Sequence, residues 1–143
     1  EGHQRVVDRI GALDLSDIGH LDHYLATLGP TETRLFDNCQ SRYFIGSDRR
    51  DPERTGPLSL ADAKRVRHAA ESFDLILFQD RLSEGLEQLG ALAGIPFSPG
   101  EVPVNTGKST RHIDISNPLV RQVLSRRTLL DQWLWRWARE ART

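Results

Sequence analysis

The chain has 143 residues, of which 38% are apolar and 27% charged, with a formal net charge of −1. That length suits one domain able to bury a sizeable core, and the balanced charge lacks the strongly basic footprint of a nucleic-acid binder. No apolar run approaches the roughly 18 residues a membrane helix needs, and no basic-then-apolar leader opens the chain.

Three compositional features go further. Cys39 is the single cysteine, so an internal disulfide is excluded and a reducing, cytoplasmic compartment is the expectation. The basic residues are nearly all Arg, with Lys only at 64 and 108; Arg suits bidentate anion contacts, although genome base composition produces the same bias. Met is absent, position 1 included, which predicts either a piece of a longer protein or a chain with residues missing from within it.

Val6, Val7, Ile10 and Leu13 recur at helical spacing, so a helix is expected from the first residues. Ser16 precedes a second, whose face is Ile18, Leu21, Leu25 and Leu28 and which Gly29-Pro30 ends. A third is expected over about Glu32 to Tyr43. Residues 46–57 carry Gly, Pro and charge without an apolar face and read as a loop. Ser59 and Asp62 form a capping-box-like pair before a helix with Leu60, Ala63, Val66 and Ala70 on one side.

The run DLILFQ, 74–79, reads as the one strand, apolar throughout as in a sheet covered on both faces. A lone strand cannot satisfy its own backbone, so it requires partners that the chain does not obviously contain. Leu82, Leu86, Leu89 and Leu92 space a further helix for burial, and 94–116, broken by three Pro and three Gly, reads as a long irregular connection. Asn117 caps a last helix, with Pro118 at its first position, running to about Arg139.

Several residues invite chemistry. His20 and His23 share a helix side but have no evident third metal ligand. Cys39 has no local base to activate it. Trp133 and Trp137, at i and i+4, read as core anchors, with Trp135 turned away from them. In VNTGKSTRH, 104–112, Gly107 permits close approach, and Lys108, Ser109, Thr110 and Arg111 offer cations, hydroxyls and amides suited to a phosphate. A solvated loop is the alternative. It is not a P-loop, since Val102 stands where the first Gly would be.

Four stretches together resemble the C-terminal half of the sulfotransferase family that includes heparan sulfate 2-O-sulfotransferases and bacterial relatives. DNCQSRYFIG resembles the family's Asn-x-Gln-[Thr/Ser]-Arg segment, and FDLILFQDRLSEGLEQLGALAGI its strand-then-helix segment. VNTGKST occupies the place of the nucleotide-covering loop, and LLDQWLWRWARE resembles the closing Leu-Asp-x-x-Leu-Tyr-x-x-Ala helix. Gln79-Asp80 stands where the family usually has Thr-Glu, Phe78 where it has a small residue, and Trp135 where it has Tyr.

The resemblance implies an α/β class: the mostly helical C-terminal part of a P-loop-like nucleotide-binding fold, as a single domain or part-domain. It implies transfer of a sulfuryl group from 3′-phosphoadenosine 5′-phosphosulfate, as co-substrate, to a hydroxyl or amine of a small-molecule or glycan acceptor. Gly107, Lys108, Ser109 and Thr110 would lie on the nucleotide side, and Gln40 and Arg42 would line the acceptor cleft. The donor's Lys-bearing loop and the general base have no match here, so a missing N-terminal half or a second copy is the implied partner; no catalytic residue and no metal are assigned. In this reading the polar residues of 36–46 wet a helix at the cleft while Phe36, Tyr43 and Phe44 pack beneath; Arg42 pairing with Asp37 is the alternative. The competing function is a non-catalytic helical interaction module.

Overall fold

One short device starts two helices. In Asp14-Leu15-Ser16-Asp17 the Asp14 carboxylate accepts from the Ser16 amide and hydroxyl at 2.9 and 2.6 Å, and Asp114 does the same for Ser116 in Asp114-Ile115-Ser116-Asn117. These bonds hold both carboxyls below the usual Asp range. The turn then delivers a cap. Asp17 accepts from Gly19 and His20, and Asn117 from Leu119.

The computed structural model describes residues 2–46, 56–95 and 113–141. Its helices are α1 (Gly2–Gly11), α2 (Ile18–Ala26), α3 (Pro30–Phe36), α4 (Cys39–Phe44), α5 (Ala63–Glu71), α6 (Leu82–Ala93) and α7 (Pro118–Ala141), with short 3₁₀ turns at Leu60–Asp62 and Gln79–Arg81. The described part is mostly helical and contains no strand. None of its helices is long and apolar enough to cross a membrane.

Helix α7 is the spine. Its 24 residues span about 36 Å at 1.5 Å per residue, long enough to serve two separate cores. Val120 and Val123, in its first half, pack with Leu21, Tyr24 and Leu25 of α2. Leu130 and Leu134, in its second half, pack with Val66 and Ala70 of α5. Trp133 and Trp137 stack 6.4 Å apart and close the second core, as their spacing indicates.

Between the two cores lies a polar knot. The expected helix over 32–43 is broken at Asp37-Asn38, and Asn38 adopts a left-handed backbone (φ 47°). Asn is one of the few residues that visit this region at modest cost. There Asn38 enters the hydrogen-bond ladder of α7. Its amide donates to the Arg127 carbonyl at 2.6 Å, and its side-chain oxygen accepts from the Leu130 and Asp131 amides at 2.8 and 3.2 Å. Its side-chain nitrogen donates to the Leu58 carbonyl.

Three expectations need correction. Residues 74–79 do not form a buried strand: residues 75–78 enter no ladder, Gln79–Arg81 closes a 3₁₀ turn with the Arg81 amide on the Phe78 carbonyl, and Leu77 is 38% exposed. Strand assignment needs a partner ladder, and no backbone group of Leu75, Ile76 or Leu77 has one among the described residues. Helix α6 forms, but only Gly85 and Gly90 are buried, with Leu82 and Leu86 half-buried. Leu89 and Leu92 are exposed (Leu92 at 64%) because nothing described packs over them. Tyr43 is also exposed, since the break at Asn38 turns it away from the core. The capping box at Ser59 and Asp62 forms as expected.

Two outcomes test this frame. Asn38→Leu leaves the Leu130 and Asp131 amides without their acceptor and forces an αL backbone on a γ-branched residue, so it costs about 3 kcal/mol in urea denaturation; a loss under about 1 kcal/mol overturns the knot. Buried Tyr24 donates to Glu32 at 3.2 Å, and burial followed by that carboxylate pushes its phenol up to about 12. The folded state therefore holds this proton more tightly than the unfolded chain does. Its contribution to stability is intact below about pH 10 and is lost as pH rises from there toward 12. Tyr24→Phe should flatten that part of the stability–pH curve.

Candidate functional site

Asn38 also decides where α4 begins. The amides of Gln40 and Ser41 point at α7, where the Asp131 carboxylate accepts both at 3.1 and 2.7 Å together with the Ser41 hydroxyl at 2.6 Å. A carboxylate from one helix thus caps the orphan amides of another. This clamp fixes the rotation of α4 and splits its residues between two environments.

One side faces inward. Asp37, Asn38, Ser41 and Arg42 are all buried, and the Arg42 side chain is only 3% exposed. Its guanidinium donates to the Asp37 carboxylate at 2.6 Å, to the Asp37 carbonyl at 2.7 Å and to the Gly56 carbonyl at 2.7 Å. Asp37 also accepts from the Leu58 amide and from Arg127, which in turn donates to the Leu25 carbonyl. Arg42 is therefore a buried staple between α4 and the 56–58 segment. It is buried away from the cavity on the other side of α4, and its pairing with Asp37 is the alternative that is observed.

The other side faces a cavity of about 610 Å³ between α4, the 76–80 segment and α7. Gln40, Tyr43 and Phe44 come from α4, and Leu134, Trp135 and Ala138 from α7. Leu77 and Phe78 complete the apolar wall. Gly85 of α6 is close to the tip of Leu77: a Cβ there would meet Leu77 Cδ2 at 2.6 Å, so a bare backbone is what admits this side chain. At the rim Arg139 donates to Asp80 at 2.5 Å and stacks over Trp135 with its carbon 4.3 Å from the ring centroid.

Of the predicted site residues, Gln40 therefore reaches the cleft and Arg42 does not. Gly107, Lys108, Ser109 and Thr110 lie outside the described residues. Trp135 is turned away from the Trp133–Trp137 stack, as expected, but into this cleft. Asp131, Asp80 and Arg139 were not anticipated. Asp131 had a signal in the resemblance, where it is the Asp of Leu-Asp-x-x-Leu, but its partner 90 residues away was not readable from spacing.

Cys39 is half-buried beside Asp131. Burial first, then the Asp131 charge, pushes its thiol up, with Arg42 opposing. That is the reverse of what an activated nucleophile needs. His20 and His23 are on the exposed side of α2. The described residues contain no group of three His, Cys, Asp or Glu able to hold a metal. No family model, curated protein or solved structure matches the chain.

The raised thiol gives a direct check. At about pH 8 Cys39 should react with iodoacetamide several-fold more slowly than the same cysteine in the urea-unfolded chain, with the rate still climbing above about pH 9. Equal rates in the two states would overturn this account of its surroundings.

Proposed function

We propose that this chain is part of a sulfotransferase and forms the acceptor side of a site that moves a sulfuryl group from 3′-phosphoadenosine 5′-phosphosulfate. One observation supports the reading above the rest. Three of the four stretches that carry the resemblance, far apart in sequence, line the same cavity: 37–46 through Gln40, Tyr43 and Phe44, 73–95 through Leu77 and Phe78, and 129–140 through Leu134 and Trp135. The first and last of them are also each other's hydrogen-bond partners through Asn38 and Asp131. Segments related only by chance to a family's site have no reason to converge in this way.

In this reading the acceptor oxygen or nitrogen forms a bond to sulfur as the bond from sulfur to the 5′-phosphate oxygen breaks, and the acceptor proton leaves to a base. Such a transfer depends on alignment and on stabilising charge on the leaving phosphate. Gln40 is the residue placed to orient the acceptor. Gly107, Lys108, Ser109 and Thr110 would hold the nucleotide's phosphate, with Lys108 as its cation. No base is assigned, and the Lys-bearing donor loop matches no stretch of residues 1–143, so the reading requires that loop from elsewhere. The P-loop-like sheet belongs to the same proposal, with residues 75–78 as a strand paired to that partner.

The unpaired 75–77 backbone and the bare apolar face of α6 favour a second reading, a helical interaction module without catalysis. Nucleotide binding separates the two. A transferase portion should bind 3′-phosphoadenosine 5′-phosphate by calorimetry and lose about tenfold or more in affinity in Lys108→Ala, the scale of one charge-assisted contact. Absence of binding, or binding indifferent to Lys108, would sink the transferase reading in favour of the module.

A further inference from the structure

The walls of the cleft bear on the class of acceptor. A sulfated or uronate-bearing glycan is a polyanion, and a site for one needs Arg or Lys side chains directed into it. Among the described residues that line this cavity there is no Lys and no Arg. Its one charged lining group is Asp80, a carboxylate already paired with Arg139, whose guanidinium is committed to Asp80 and to the ring of Trp135. The adjoining hollow beyond Gln40 adds one charge of each sign, Asp131, which the Gln40 and Ser41 amides already occupy, and Arg136. The cleft therefore lacks the cationic lining that a glycan-sulfating site needs among its described residues.

What the cleft does offer is aromatic surface with a polar group at its edge. Tyr43, from α4, is 81% exposed and Trp135, from α7, 43%, and Phe44, Leu77 and Phe78 line the same cavity. Aromatic side chains held open to water on a concave surface are sites where a flat apolar ligand gains most. The Gln40 carboxamide has no hydrogen-bond partner among the described residues, while its backbone amide is tied to Asp131. It is therefore anchored at one end and free to engage at the other. About 610 Å³ falls within the range of small-molecule sites.

We infer that the Gln40 cleft binds an uncharged aromatic alcohol, its ring against the aromatic lining that includes Tyr43 and Trp135 and its hydroxyl hydrogen-bonded to the Gln40 carboxamide. This rests on the acceptor-side reading above and replaces its glycan option with a phenol-class acceptor. The alcohol would enter as the neutral phenol, and Gln40, with no titratable group, could orient it but not deprotonate it.

The test is calorimetric titration of the 143-residue chain with 2-naphthol and, in parallel, with naphthalene and a heparin tetrasaccharide. The expected result is saturable binding of 2-naphthol and none of the tetrasaccharide. Tyr43→Ala and Trp135→Ala should each weaken 2-naphthol about tenfold. Gln40→Ala should weaken 2-naphthol a few-fold while leaving naphthalene unchanged, the signature of a hydrogen bond to the hydroxyl. Tyr43 is almost wholly exposed, so that variant keeps its fold. No saturable 2-naphthol binding, binding indifferent to both aromatic variants, or tetrasaccharide binding that either variant weakens would overturn the inference. The donor nucleotide is not needed here. Failure would therefore remove the phenol-class acceptor and leave sulfuryl transfer standing, whereas failure of nucleotide binding would strike the transfer and not the cleft.

Discussion

Among the described residues, the cleft depends on Asn38 inside the ladder of α7. A helix interior is normally closed to outsiders, because each amide and carbonyl already has its partner four residues away. Asn38 gains entry by offering one donor and one acceptor in the same place, taking the Arg127 carbonyl and serving the Leu130 and Asp131 amides. Only a residue with a short polar side chain and tolerance for positive φ can do both. Its position at the junction of the two apolar cores lets a single residue register both halves of α7.

The buried ionic group around it extends that registration outward. Arg42 donates to a carbonyl of the 56–58 segment and Arg127 to one near the end of α2, while Asp37 joins the two guanidiniums. Internal segments far apart in sequence are thereby tied to one point. A buried ion pair is weak evidence for net stability, because desolvating the charges costs about what their attraction returns. Removing one partner is another matter, since it strands a charge at a typical cost of about 3–5 kcal/mol. The group therefore serves arrangement more than stability. It holds α4 at the one rotation that turns Arg42 inward and Gln40 and Tyr43 outward.

The opposite condition holds at 75–78 and along α6. There the apolar residues have the right types for burial but no described neighbour. Leu77, Leu89, Leu92 and Ile95 remain in contact with water, and the backbone of 75–77 has no hydrogen-bond partner among the described residues. Such an edge is a ready template for another strand. The cleft borders it through Leu77 and Phe78, so whatever covers that edge would also form a wall of the site.

Local chemistry was legible in the sequence wherever it depends on residues a few positions apart. The caps at Ser59 and Asn117, the span of α7 and the pairing of Trp133 with Trp137 all arise from side chains acting within one or two turns, whereas the second helix is capped by Asp17, one residue beyond the Ser16 expected to precede it. Gln40 was legible as a cleft residue through resemblance, but Arg42, two positions on in the same motif, was misplaced. Periodicity could not see that Asn38 breaks the helix and rotates the residues after it, because its partners are about 90 residues away. Likewise DLILFQ has every intrinsic mark of a strand, yet a strand is a property of a pair, and composition cannot supply the second member. The sequence by itself determined where helices start, which residues seek burial and which side chains could meet an anion. Tertiary structure alone decided which polar residues were consumed holding the chain together and which were left facing the cleft, because both roles draw on the same side chains and only long-range contacts distinguish them.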